Sequence, residues 1–334
     1  MISGRRKVLL VLSLLVVYLL LPSRRQRPPN DPTFGLVNET SDSSRFAIAT
    51  FLTGNHKRSA QEDDLDTDYY YIATRIIAYQ LLHAPETRCN MSVSFAVLVT
   101  SAVSEWKRQQ LRLDGAIVME VEDVPLRWWI KTGVTRWKDQ FTKLRLFEMT
   151  QFDRVLFIDA DTLITRPLDG IFDELEIRRP ADTLFGRETQ TDEAPFPAQY
   201  MFAARSDNAL TGERDHSFPP HQTEVFSAGF WIAAPSHEMF AYLLSVMNHY
   251  RRFDPHTMEQ SLLNYAFRRA GPMPWREIHY KWSATWPSSR DVDGQVVTLH
   301  EKFWSTGPQE LRNLWWEQKR NMEHYHSSAA GKGH

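Results

Sequence analysis

The chain has 334 residues, 42% of them apolar and 24% charged, with a single cysteine. Those proportions suit a globular chain of one large domain or two small ones, and they exclude collagen-like repeats, a disulfide scaffold and any zinc site needing two thiolates. Residues 1–30 hold six basic groups and no acid, which leaves 33 basic and 41 acidic groups elsewhere, a mildly acidic body that argues against a broad nucleic-acid-binding face.

The chain opens with an apolar run, Val8 to Leu21, flanked by Arg5, Arg6 and Lys7 on one side and Arg24 and Arg25 on the other. At 1.5 Å per residue the run spans roughly 21 Å, short of a ~30 Å hydrocarbon core. No small-residue cleavage site follows it, and flanking cations can snorkel to lengthen the span. It reads as an uncleaved signal anchor, with a cleaved signal as the alternative. Two sequons, at Asn38 and Asn90, lend weak support to a luminal body. The expected organisation is a tail and anchor over 1–21, a flexible stem over 22–44, a folded body over 45–326 and a disordered tail over 327–334. The expected location is the Golgi membrane, single-pass and type II, with the body in the lumen.

From Arg45 the pattern is α/β. Phe46–Leu52 and Val93–Thr100 read as buried parallel strands, apolar on both faces. Residues 116–121 and 153–158 give further strands, and Phe226–Ala233 a later one. Between them, 69–83, 104–114 and 138–150 read as helices, and 308–326 as an amphipathic helix. Residues 185–224 interrupt the pattern and read as a long loop or lid. The order predicts a Rossmann-like, mostly parallel sheet, which binds ligands at the carboxyl ends of its strands.

The usual nucleotide signatures are missing. There is no G-x-G-x-x-G, Walker A, H-E-x-x-H or G-x-S-x-G sequence. A phosphorylated ligand would then need another source of positive charge, and a divalent cation held by carboxylates is the simplest. D-x-D occurs four times, so the pattern alone says little. Only Asp159-Ala160-Asp161 directly follows a continuous apolar strand; Asp64, Asp66 and Asp68 fall in an acidic loop, and Asp291 and Asp293 in a turn. Residues i and i+2 of an extended segment point to one side, so Asp159 and Asp161 can face one ion. A turn pair is the alternative.

Phe141-Thr142-Lys143-Leu144, Met149 to Asp153 and Val155 to Ile164, with Lys143 at a set distance before the acids, resemble glycosyltransferase family 8, the glycogenin-like retaining transferases. The likeness extends weakly over residues 45–305. It implies the GT-A fold and transfer of a hexose or N-acetylhexosamine from a UDP-sugar to a glycan or glycoconjugate acceptor, with Mn2+. It implies Asp159, Asp161 and His300 as metal ligands. Phe51, Thr53 and Asn55 would receive the uridine, Lys143 and Lys302 the diphosphate. Glu259 and Gln260 are the candidate catalytic pair, although Thr257 to Gln260 also reads as a capping box. The chain departs from the family pattern at Ser227-Ala228-Gly229, at Glu259 and around Lys302, which leaves sugar and acceptor open. For a retaining outcome, same-face attack with the leaving diphosphate as base is favoured. Trp128, Trp129, Trp137, Trp282 and Trp286 could stack on sugar or fill core, and Asp182 and Asp207 have no clear place. A metal-dependent nucleotidyltransferase acting on sugar phosphates, or a binding-only protein of the same fold, are the competing readings.

Overall fold

A computed structural model describes residues 45–54, 66–132, 135–211, 214 and 216–330. The chain divides into Met1–Asp42 and Ser43–His334, and every described element belongs to the second unit. The expected anchor and stem lie outside the described residues. Among those described, no helix is long and apolar enough to cross a membrane. The 22-residue C-terminal helix has the length but carries Glu310, Arg312, Glu317, Lys319 and Glu323 along it. The expectation of a single-pass type II Golgi membrane protein is corrected on that finding.

The strands are β1 (Phe46–Leu52), β2 (Ser94–Val99), β3 (Ile117–Glu120), β4 (Arg154–Ile158), β5 (Thr162–Ile164), β6 (Ala181–Asp182), β7 (Gln199–Tyr200), β8 (Phe202–Ser206), β9 (Phe226–Ala233), β10 (Arg276–Glu277), β11 (Ser283–Thr285) and β12 (Thr298–His300). The helices are α1 (Tyr69–Leu82), α2 (Glu105–Leu113), α3 (Leu175–Arg178), α4 (His237–Asn248), α5 (Met258–Ala266), α6 (Ser289–Asp293) and α7 (Gln309–Ala330). The last helix runs into the stretch expected to be a disordered tail.

The main sheet has the order β3-β2-β1-β4-β9-β8-β10. Every neighbouring pair is parallel except the two made by β9. The α/β class with a mostly parallel central sheet is therefore as expected. Its central strands are apolar on both faces because both faces are covered: Ala47, Ile48 and Ala49 of β1 and Val155 to Ile158 of β4 are fully buried.

Two elements differ from the sequence reading. The helix expected over 138–150 is a 3-10 run, Thr135–Glu148. The loop expected over 185–224 contains β8, a fully buried strand. Its Arg205 breaks the apolar pattern, but Glu277 of β10 pairs with it and satisfies the buried charge.

A second sheet, β11-β12-β5, positions the site. Gln80, fully buried in α1, donates to the Ile164 carbonyl at 2.6 Å and accepts from the Ile164 N–H at 3.1 Å. That bidentate contact fixes β5 on the body. Asp68 starts α1 by accepting from the Tyr71 N–H. Helix α7 covers the other side of α1, packing Leu311, Trp315 and Met322 with Ile72, Ile76 and Tyr79.

Candidate active site

Strand β4 ends at Ile158, and the chain turns at once, with the Thr162 N–H donating to the Asp159 carbonyl at 3.1 Å. The turn projects Asp159 and Asp161 at the carboxyl end of β4. Strand β12 pairs antiparallel with β5 so that His300 lies opposite Thr162. The Glu301 N–H closes that register on the Asp161 carbonyl at 3.1 Å. His300 Nε2 then sits 3.1 Å from Asp161 Oδ1 and 3.6 Å from Asp159 Oδ2. One ligand atom from each of the three residues lies within 4.8 Å of the other two.

Gly229 of β9 forms the floor. Its carbonyl accepts the Asp159 N–H at 3.0 Å. A Cβ at this position would lie 2.4 Å from His300 Cε1 and 2.9 Å from Asp159 Oδ2, so only glycine lets β9 approach so closely. Burial alone would raise the pKa of Asp161, but His300 and Lys302 outweigh it and hold the carboxyl well below its usual range. His300 moves up: burial opposes its charged form, and Asp161 and Asp159 more than compensate. Its Nδ1 is buried without a hydrogen-bond partner among the described residues.

Lys143 is almost fully buried beside this cluster. Its ammonium donates to Asp159 Oδ1 at 2.6 Å and to Glu259 Oε1 at 2.8 Å. Burial disfavours its charge, yet the two carboxylates together raise its pKa well above the ordinary lysine value. Glu259, at the start of α5, is 3% exposed, and its other oxygen, Oε2, has no hydrogen-bond partner among the described residues. Burial raises its pKa; Lys143 pulls it down and Asp159 pushes it up.

Gln260 does not close a capping box. Thr257 makes no side-chain cap, and Gln260 reaches across to the sheet instead. Its Oε1 accepts the Ala228 N–H at 3.1 Å and its Nε2 donates to Asp207 Oδ2 at 3.0 Å. Asp207 is 4% exposed, and burial raises its pKa. The amide of Gln260 is thus committed at both ends. Asp207 is the anchor that sequence reading leaves without a place. Its signal, an acid directly after a strand, is too common to single it out.

These groups open into one cavity of about 600 Å³. Phe51, Thr53 and Gly54, at the carboxyl end of β1, line one part, and Lys143, Asp159, Asp161, Glu259, Gln260, His300 and Lys302 line another. Thr53 Oγ1 donates to Asp139 Oδ2 at 2.8 Å. Lys302 Nζ lies 3.5 Å from Asp161 Oδ2 on a half-exposed side chain. Asn55 lies outside the described residues. Sequence reading misses Asp68, Tyr69, Tyr70 and Trp304, which also line the cavity. Asp68, expected in a solvated loop, caps α1 and accepts from Lys107 at 2.7 Å.

The remaining candidates fall elsewhere. Trp282 is buried and donates to Glu174 at 2.6 Å. Trp128 is 87% exposed, and Trp129 packs edge-on to Tyr250. Trp286 carries Arg214 over its ring. The side chain of Trp137 lies outside the described residues. Asp182 accepts from Gln199 on the β6–β7 ribbon.

Two carboxylates and an imidazole converging at a strand end match the mixed oxygen and nitrogen donors that first-row divalent cations such as Mn2+ accept. The close approach of Gly229 to His300 and Asp159 leaves the three side chains room to converge.

No model of a known protein family matches the chain. It is 33% identical over 260 residues to the uncharacterized protein C4C3.09 of Schizosaccharomyces pombe, covering 71% of this chain and 68% of that one. It is 23% identical over 289 residues to UDP-glucuronate:xylan alpha-glucuronosyltransferase 1 of Arabidopsis thaliana, spanning 81% of this chain but only 41% of the plant protein. Among solved structures, the apo form of the glycosyltransferase GlyE of Streptococcus pneumoniae superposes with a TM-score of 0.49 at 12% identity, over 86% of this chain and 64% of that one.

Proposed function

We propose that this chain, which belongs to one family with the fission-yeast protein C4C3.09, is a retaining glycosyltransferase of GT-A type that takes its sugar from UDP with Mn2+ as cofactor. The observation that carries the reading is the convergence of Asp159, Asp161 and His300 beside Lys143 in one cavity at the carboxyl ends of the strands. The likeness to a protein named as a glucuronosyltransferase supports the reaction class.

Asp159, Asp161 and His300 would hold the cation. When bound, it supplies Lewis-acid stabilisation of the diphosphate. Phe51 and Thr53, at the mouth of β1, would receive the uracil and ribose. Lys302, half-exposed beside Asp161, can swing to a phosphate oxygen and add a charge-assisted hydrogen bond. Lys143 is held by two carboxylates, so its role is to fix Asp159 and Glu259 and to keep positive charge near the leaving group.

In the reaction the bond from the anomeric carbon to the β-phosphate oxygen breaks, and a bond from the acceptor hydroxyl oxygen forms. The hydroxyl proton passes to the departing diphosphate. Gln260, with both amide ends committed, holds α5 against β9. Glu259, ion-paired to Lys143, is a weak nucleophile, which supports same-face attack over double displacement.

The test is release of free UDP from a panel of UDP-sugars, with and without Mn2+, comparing the native chain with Asp159→Asn. Mn2+-dependent turnover of one or more donors, abolished by the substitution, is the expected result. Turnover that survives both chelation and Asp159→Asn would overturn the reading. Pyrophosphate-dependent formation of UTP instead of UDP would favour a nucleotidyltransferase.

A further inference from the structure

Tyr69, Tyr70 and Trp304 line the cavity and have no part in the metal centre. All are half-buried, so each ring keeps part of its surface open. Trp304 sits on the turn that follows β12. The Glu301 N–H on the Asp161 carbonyl and the Ser305 N–H on the Lys302 carbonyl, at 2.8 Å, hold that turn and tie the ring to His300. Tyr69 and Tyr70 open α1, just after the Asp68 cap. Tyr69 lies nearly parallel to Trp304, with ring centres 5.9 Å apart and planes 10° apart. Tyr70 meets Trp304 edge-on at 5.1 Å. Trp315 of α7, almost fully buried, backs Tyr69 at 6.4 Å and Trp304 at 5.7 Å. The wall is thus built before a ligand arrives, and a ligand that stacks on it has few side chains to order.

Aromatic faces edged by phenol hydroxyls suit a ring with C–H on its face and hydroxyls on its rim. A pyranose has that form; a diphosphate does not and needs cations instead. The nucleoside has another place on the reading above. Thr53 turns to Thr100 at 3.0 Å and to Asp139 at 2.8 Å, a corner made by β1, the end of β2 and the 3-10 run. The aromatic wall belongs to α1 and to the turn after β12. A transferase must seat a second substrate in the same cavity, within reach of the anomeric carbon on the diphosphate. The turn that carries Trp304 starts at His300, so the wall adjoins the place where diphosphate and cation would meet.

Resting on the glycosyltransferase reading above, we infer that Tyr69, Tyr70 and Trp304 form the acceptor subsite, and that the acceptor is a glycan seated by the C–H face of a sugar ring against this wall. Helix α7 holds the wall rigid from behind.

The experiment saturates the native chain with UDP and Mn2+ and titrates in the methyl β-glycosides of glucose, galactose, mannose, xylose and N-acetylglucosamine. Calorimetry reads binding, and saturation-transfer nuclear magnetic resonance reads which ligand protons touch the protein. At least one glycoside should bind, with its ring C–H protons receiving saturation. Trp304→Leu keeps an apolar side chain but removes the aromatic face. It should weaken that glycoside roughly fivefold or more beyond any change in UDP affinity, and Trp304→Phe should recover most of the loss. Tyr70→Leu repeats the test from α1 should Trp304→Leu fail to fold. No binding of any of these glycosides overturns the inference, while UDP binding leaves the transferase reading intact. A substitution that weakens UDP as much as the glycoside makes the wall a nucleoside platform and also overturns it. No binding of UDP itself in Mn2+ overturns the transferase reading and this inference with it.

Discussion

Replacing Lys143 by methionine removes the cation shared by buried Glu259 and partly buried Asp159. Lys143 and Glu259 side chains are 6% and 4% exposed, so solvent cannot take over the ammonium's role. Breaking a buried pair by deleting one partner costs about 3–5 kcal/mol. Here protonation of Glu259 offers an escape, so the cost depends on pH. Burial and Asp159 already hold the folded-state pKa of Glu259 above its ordinary value of 4.5, with Lys143 pulling it back. Without Lys143 it rises further. A group whose folded pKa is raised keeps its proton more readily when folded, so the penalty for ionising it sets in as pH climbs through the unfolded value and is complete above the folded one. Lys143→Met should thus lose little stability near pH 5 and about 3 kcal/mol near pH 8. Urea unfolding at both pH values, in chelator to exclude metal, measures this. Lys143→Met combined with Glu259→Met should recover more than half of the loss at pH 8, because no uncompensated charge remains at Glu259. A loss under about 1 kcal/mol at pH 8, or one independent of pH, would refute the claim that Lys143 neutralises this cluster.

Three further outcomes follow from particular contacts. Gly229→Ala places a methyl 2.4 Å from His300 Cε1, so the imidazole must shift; Mn2+ affinity, read by electron paramagnetic resonance, should fall roughly 10–100-fold while far-ultraviolet circular dichroism stays native. Asp207 uses one oxygen for the Ala209 N–H and the other for Gln260 Nε2, so Asp207→Asn turns an amide donor toward one of them and should cost about 1–3 kcal/mol; adding Gln260→Glu lets the introduced amide at position 207 donate where Gln260 had donated and should restore most of it, as chemical unfolding would show. Trp315→Ala removes a 1% exposed ring that joins α7 to Trp304 and Tyr69, and calorimetry should record a loss of about 3–5 kcal/mol.

Much of the sheet was legible because buried parallel strands must be apolar on both faces. β1, β2 and β4 announce themselves as continuous runs, and β9 reads the same way, although nothing in its sequence reveals that it runs antiparallel. β8 stayed hidden because its stabilising partner for Arg205 comes from Glu277, 72 residues away, and no local pattern encodes such a pairing. Thr135–Glu148 carries apolar residues at helical spacing yet forms a 3-10 run, a difference that spacing alone does not resolve. At the site, Asp159 and Asp161 could be selected because they follow an apolar strand. His300 could be placed only through resemblance, since the register that brings it to Asp161 runs through the second sheet and the buried Gln80. Gln260 looked like a cap because Thr257 precedes it at the right spacing; its longer reach to Ala228 and Asp207 needs the fold. Asp68, Tyr70 and Trp304 reach the cavity from elements remote in sequence and gave no local sign of it.

The most direct measurement is UDP binding by titration calorimetry, run in Mn2+ and again in chelator, for the native chain and for His300→Ala. If Asp159, Asp161 and His300 form a cation site that receives a nucleoside diphosphate, Mn2+ should tighten UDP binding at least tenfold, about 1.4 kcal/mol, and His300→Ala should remove most of that gain. UDP binding of equal strength in Mn2+ and in chelator would contradict the assignment of this cluster.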